Sequence, residues 1–189
     1  MAPTPFVTIT EPIGVAATQD GVLITAWEGS PSIFKVTDTK AISVFAPSFP
    51  TASSRVEKYL DVNPGLGPWA NKAGFVYVTQ GSDVWEITPN GCAVKKFLTI
   101  DSGVISGTGI TFDRVGTFKY DMILTDITGN VFRVTSRALI TPLVNLKITI
   151  ENPAVVPVGL GTWWRSMGGG GESRTGVVRP CRGIAYENR

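Results

Sequence analysis

With 189 residues, 43 % of them apolar and 17 % charged, the chain is long enough for one domain with a substantial core and is not composed like a disordered segment. A formal charge of +2 gives no ground for a nucleic-acid or membrane partner, and no apolar run approaches the roughly 18–20 residues of a membrane helix. There is no histidine, which removes Ser-His-Asp triads, Cys-His dyads, HExxH zinc sites and the commonest general base together.

Met1 to Pro5 lacks the charged and apolar regions of a signal peptide, a pattern shared by mature exported domains behind a start Met, so the compartment is left open. Phe6–Thr10 alternates and is expected to be an odd strand that completes a blade elsewhere. A first unit, 13–47, then runs through Gly14-Val15-Ala16, Val22 to Ala26, Ile33 to Val36 and Ala41 to Phe45. Ser53–Leu60 is expected to form at most a turn or two of helix. A second unit, 56–104, reads Gly67-Pro68-Trp69, Phe75 to Thr79, Val84 to Ile87 and Ala93 to Phe97. A third, 108–146, reads Gly109 to Phe112, Met122 to Asp126, Asn130 to Val134 and Leu139 to Leu143. Leu146–Ile150 alternates again, and Pro153–Pro157 opens a fourth unit over 152–160. Fixed-period self-similarity of this kind decides architecture.

The best marker of the repeat is the segment apolar-aromatic-charged-apolar. Its aromatics, Phe34, Trp85 and Phe132, are 51 and 47 residues apart, the length of a blade of four short antiparallel strands. From each aromatic to the closing apolar residue (Phe45, Phe97, Leu143) the distance is 11, 12 and 11. The second segments are near-continuous apolar runs, as in strands covered on both faces; the third alternate. Turn residues fill the gaps, with Asn90-Gly91 the strongest hairpin signal. The expected fold is therefore all-β and propeller-like, with three to four four-stranded blades. Phe34, Trp85 and Phe132 are expected in the core between blades.

Several segments invite other readings. Asp61 to Gly65 begins like a calcium loop, but Lys72 stands where a bidentate Glu would close it. Gly65-Leu66-Gly67 lacks the third glycine of a dinucleotide loop. Both are read as inter-blade loops. Cys92 and Cys181, 89 positions apart, make no CxxC site and are read as free thiols. Glu86 and Arg133 occupy matching positions in neighbouring units and are expected to form a surface ion pair. Propeller ligands sit at the central channel or its mouth. Candidate binding residues there are Asn63, Trp69, Asp113 and Asp126, with Trp27 on a loop; solvated polar loop is the competing reading.

Gly109-Ile-Thr-Phe-Asp113, Tyr120-Asp-Met-Ile-Leu-Thr-Asp126 and Gly129-Asn-Val-Phe-Arg-Val134 resemble the blades of bacterial NHL/SMP-30-type propeller proteins, over about residues 13–160. The resemblance implies a propeller fold and often an exported protein. It spans calcium-dependent lactone hydrolases, streptogramin lyases and pure binding scaffolds, so fold does not choose among activities. The lyase branch relies on histidine, absent here. The Glu, Asn and Asp set of the lactonase branch has no residue-by-residue match. A non-enzymatic module binding a protein, glycan or small ligand is the first reading. A divalent-metal hydrolase, with calcium as its one implied cofactor, is the alternative.

A complete member of that group has about six blades, so the open end blades are expected to self-associate, with Phe6–Thr10 pairing near Pro153–Pro157. From Gly161 the composition changes. Five of nine arginines and none of eight lysines fall in 161–189. This Gly/Arg-rich stretch is expected to be irregular. It reads as a flexible tail that contacts RNA or an acidic partner, a disordered terminus, or G-rich codons translated out of frame.

Overall fold

The computed structural model describes residues 4–26, 33–50, 56–100 and 108–155, and the backbone of 184–185. Three four-stranded antiparallel sheets follow one another along the chain, each pairing its strands in chain order. The first holds β1 (Pro12–Thr18), β2 (Gly21–Ala26), β3 (Ile33–Val36) and β4 (Ile42–Val44). The second holds β5 (Leu60–Val62), β6 (Val76–Gln80), β7 (Asp83–Ile87) and β8 (Val94–Thr99). The third holds β9 (Gly109–Phe112), β10 (Met122–Thr125), β11 (Asn130–Val134) and β12 (Ile140–Asn145). β13 (Ala154–Val155) pairs with β14 (Ile184–Ala185). The first strands pack side by side, β1 by β5, β5 by β9 and β9 by β13, so the sheets radiate from one axis as blades.

Five expectations change. The first strand of the second blade is Leu60–Val62, and Gly67–Trp69 lies in a 3-10 helix, Gly67–Lys72. Pro68 has no N–H for a ladder and Gly67 has φ +52°, so that segment turns where a strand was expected. Leu60 is accordingly not helical. Phe6–Thr10 and Leu146–Ile150 form no strand; β13 takes Ile184–Ala185 as its partner, so those two tail residues are not irregular.

Of the repeated aromatics, Trp85 packs at the margin of the layer between blades one and two and Phe132 at that between two and three. Phe34, Trp85 and Phe132 are half-buried, whereas the apolar residues flanking them, Ile33 and Val36, Val84 and Ile87, Val131 and Val134, are at most 1 % exposed. The third strands lie toward the rim, where radiating sheets diverge, so a long ring placed there reaches solvent. The Trp85 ring meets Phe49 edge-on at 6.1 Å and carries the Lys96 ammonium at 5.5 Å. The closing residues have a distinct role. In blades two and three the register slips so that Phe97 and Leu143 lack an opposite residue, the mark of a bulge.

Between blades one and two pack Leu23, Ile33, Phe45, Phe49, Leu60, Val76 and Val78; between two and three lie Trp69, Tyr77, Phe112, Met122 and Leu124. Closer to the axis the blades are joined by glycine and threonine. Gly14 donates its N–H to the Thr25 hydroxyl at 2.8 Å, and that hydroxyl bonds the carbonyl of Lys58 at the start of blade two. In blade three Gly109 faces Thr125, whose hydroxyl donates to the carbonyl of Glu151. A Cβ on Gly14 would stand 2.8 Å from the Thr25 hydroxyl and 2.9 Å from the Lys58 carbonyl, so the close approach needs glycine.

One ionic cluster sits in this interior. Glu86, 2 % exposed, accepts from the Tyr77 hydroxyl at 2.6 Å and pairs with Lys72 at 2.6 Å and Lys95 at 3.0 Å. Burial pushes its carboxyl up, but the hydrogen bonds from Lys72, Tyr77 and Lys95 outweigh this and hold it below its ordinary value of 4.5. Burial, with Glu86 alongside, pushes the Tyr77 phenol up, so it remains a proton donor to Glu86. The expected Glu86–Arg133 pair does not form; Arg133 faces Asp121.

Gly109→Ala would drive its Cβ against the Glu151 carbonyl and to 2.7 Å from both Asn152 Cα and the Thr125 hydroxyl. It should cost about 2–3 kcal/mol in urea melts. Gly74→Ala, with φ +77° but nearest atoms at 3.6 Å, should cost only about 1 kcal/mol. Glu86→Gln should destabilise the fold by about 2–3 kcal/mol at pH 7, because two ammonium groups lose their buried counter-charge. A carboxyl depressed in the folded state contributes stability above its unfolded value and loses it as pH falls through the folded one. The gap between wild type and Glu86→Gln should therefore close as denaturation is repeated below the ordinary value of 4.5.

Candidate functional site

β5 and β9 run in the same sense side by side, so the loops that follow them, 63–75 and 113–121, emerge at one end of the blades. In the first blade the equivalent connection is a tight turn, with Thr18 paired to Gly21. Blades two and three thus carry an extended loop pair that blade one lacks.

Each loop is shaped by one buried side chain. Asn63 accepts from the Gly65 N–H at 2.9 Å and donates to the carbonyls of Trp69 at 3.1 Å and Lys72 at 2.6 Å, closing the first loop on itself. Asp113, fully buried, accepts four backbone N–H groups, those of Val115, Gly116, Phe118 and Tyr120. That concentration of bonds offsets the cost of two consecutive non-glycine residues in the left-handed region, Lys119 and Tyr120, both at φ 64°.

The loops are fastened to each other. Trp69, 0 % exposed, donates its indole N–H to Asp121 Oδ1 at 3.3 Å. Asp61 accepts the Phe112 N–H at 2.8 Å and pairs with Arg114 at 2.8 Å, while Arg114 also donates to the Val62 carbonyl at 3.0 Å. Burial raises the Asp121 carboxyl above its ordinary value; the Trp69 hydrogen bond and the charges of Arg133 and Lys119 pull against this, and Asp113 adds to it. The Tyr120 ring lies between Gly67 and Gly116, where added Cβ atoms would come within 2.8 and 3.0 Å of it. What remains outward is Arg114, Val115, Lys119 and Tyr120 on one loop, with Pro68, Ala70 and Asn71 on the other.

Of the residues singled out by sequence, Asn63, Trp69 and Asp113 come together here. They are buried, and their side-chain polar groups bond the chain itself. Asp126 lies at the opposite end of β10, 1 % exposed, where it accepts from the Thr128 N–H at 2.9 Å, the Asn130 N–H at 3.0 Å and both their side chains. Trp27 lies outside the described residues. Among those described, no three His, Cys, Asp or Glu side chains converge to hold a metal ion. Sequence reading passed over Arg114, Tyr120 and Asp121. The available signal was the pair of glycines, Gly67 and Gly116, left where a ring needs room.

No protein-family model and no curated protein sequence matches the chain. Among solved structures, virginiamycin B lyase from Staphylococcus aureus is similar at 21 % identity and TM-score 0.52, over 70 % of this chain and 40 % of that one. A catalytically inactive histidine-to-alanine variant of the same lyase, with quinupristin, aligns at 17 % identity and TM-score 0.53 over 75 % of this chain and 44 % of that one. A chain of a nidogen/laminin complex aligns at 14 % identity and TM-score 0.53 over 73 % of this chain and 49 % of that one. The chain spans less than half the length of each. The likeness establishes one thing, and it agrees with the radiating sheets: this chain has the blades of a β-propeller.

Proposed function

We propose that the chain is a non-enzymatic binding module built from NHL-like blades, and that the loop pair of blades two and three is its binding face for a protein partner. The observation that carries this reading is that the buried Asn63 and Asp113 spend their polar atoms on the chain's own backbone. They serve to hold a surface in place. That surface offers a tyrosine and an arginine, the residue types that dominate binding hot spots, beside the apolar Val115. Its backbone is fixed in advance, which lowers the ordering cost of association. Of the similar structures, one is a lyase and the other belongs to a protein–protein complex. The inactive lyase variant carries a histidine replacement, and this chain has no histidine.

A panel of lactones incubated with the chain and calcium, manganese or zinc should show no metal-dependent turnover; turnover abolished by chelation would overturn the reading. A double variant, Val115→Ser with Tyr120→Ala, should keep a cooperative melt and lose a protein partner retained by the wild type. Saturable binding to a glycan array that survives this variant would count against a protein-binding face.

A further inference from the structure

We propose that the loop pair of blades two and three takes an acidic segment of a protein, whose carboxylates seat on Arg114 and Lys119; this rests on the reading of that face as a binding surface. The sign of the face is set by which charges point inward. The carboxylates on the loops and at the strand end that leads into them are Asp61, Asp113 and Asp121, and each spends both oxygens on the fold. Asp113, 0 % exposed, takes the N–H groups of Val115 and Gly116 with one oxygen and those of Phe118 and Tyr120 with the other. Asp121, 3 % exposed, takes the Trp69 indole with one oxygen and faces Arg133 with the other. Asp61 takes the Phe112 N–H and the Thr111 hydroxyl with one oxygen, and the Val62 N–H and Arg114 with the other.

The cations are placed the other way. Arg114, with a side chain 51 % exposed, uses Nη2 for both Asp61 and the Val62 carbonyl. Its Nε and Nη1 have no partner among the described residues, so the guanidinium is oriented in advance and keeps donors of its fork for an incoming carboxylate. The exposed Lys119 makes no ion pair among the described residues. Asp113 gathers the loop that carries both, and its own N–H closes the neck on the Asp121 carbonyl at 3.0 Å. Each cation stands next in chain to an exposed apolar or aromatic residue, Arg114 to Val115 and Lys119 to Tyr120. That pattern matches a short segment in which Asp or Glu flank an apolar side chain. A nucleic-acid strand asks for a track of cations with several rings for stacking, and Tyr120, held between Gly67 and Gly116, is the one exposed ring on these loops.

The test is to pan random peptides displayed on phage against the full chain at low salt, then titrate the enriched peptides, fluorescently labelled, by anisotropy. Enriched sequences should carry several Asp or Glu around an apolar residue, and their binding should weaken as salt is raised. Arg114→Gln and Lys119→Gln should each weaken it at least about tenfold. Lys119→Gln breaks no ion pair among the described residues, so it keeps the test sound if Arg114→Gln alters the melt. Lys147→Gln, an exposed lysine beside the turn at the opposite end of blade three, should leave binding unchanged. Enriched peptides without Asp or Glu that are lost in Val115→Ser with Tyr120→Ala overturn the acidic partner and leave the binding face standing. Peptides that bind every one of these variants alike overturn both. An absence of enrichment, or an oligouridine that binds more tightly than any peptide, overturns the acidic protein segment.

Discussion

Everything in this molecule depends on one blade covering the next. A four-stranded sheet this small cannot bury both its faces, and β6 and β10 show what it lacks alone: every residue from Val76 to Thr79 and from Met122 to Thr125 is buried, which requires a neighbour on each side. The apolar layers supply the bulk of this stabilisation. The glycine–threonine contacts near the axis set its spacing. They bring backbones close enough for one hydroxyl to satisfy groups of two blades.

The polar interior follows from the same constraint. Where the second and third blades meet, the aromatic layer of Trp69, Tyr77, Phe97 and Phe112 packs edge to face at 5.0–5.5 Å, with Trp69 and Phe97 tilted at 5.8 Å. Its two polar tips, the Tyr77 hydroxyl and the Trp69 indole N–H, must be bonded, and each finds a carboxylate: Glu86 for one, Asp121 for the other. The carboxylates then require cations, which come from Lys72 and Lys95 on one side and Arg133 on the other. The extended loops are therefore anchored to the core, and their outer surface is stiff for a structural reason.

Sequence periodicity made the blades readable because burial on two faces leaves a run of Val, Ile and Leu, and a hairpin leaves Asn90-Gly91. The first strand of blade two escaped notice because Asp61 breaks its apolar pattern, and Asp61 is spent on β9 of the next blade. A partner 50 residues away has no local signature. The half-burial of Phe34, Trp85 and Phe132 was equally hidden, since recurrence marks a position in the repeat and does not say how far from the axis it lies. At the candidate site, composition flagged Asn63, Asp113 and Asp126 as polar groups near a channel. Only their hydrogen bonds show that these side chains build loops, while Tyr120 and Arg114, ordinary in sequence, are left facing out.

The bulges at Phe97 and Leu143 bear on a different problem, that of the outermost strands. An outer strand carries a line of unsatisfied N–H and C=O groups, an invitation to extend the sheet into another molecule. Here β8 combines its bulge with Lys95 and Lys96, β12 combines its own with Pro142, and β4 is only three residues long. Each rim is thereby twisted, charged, deprived of a donor or cut short. Contact along the rims is thus discouraged in each of the three blades, by a different device in each.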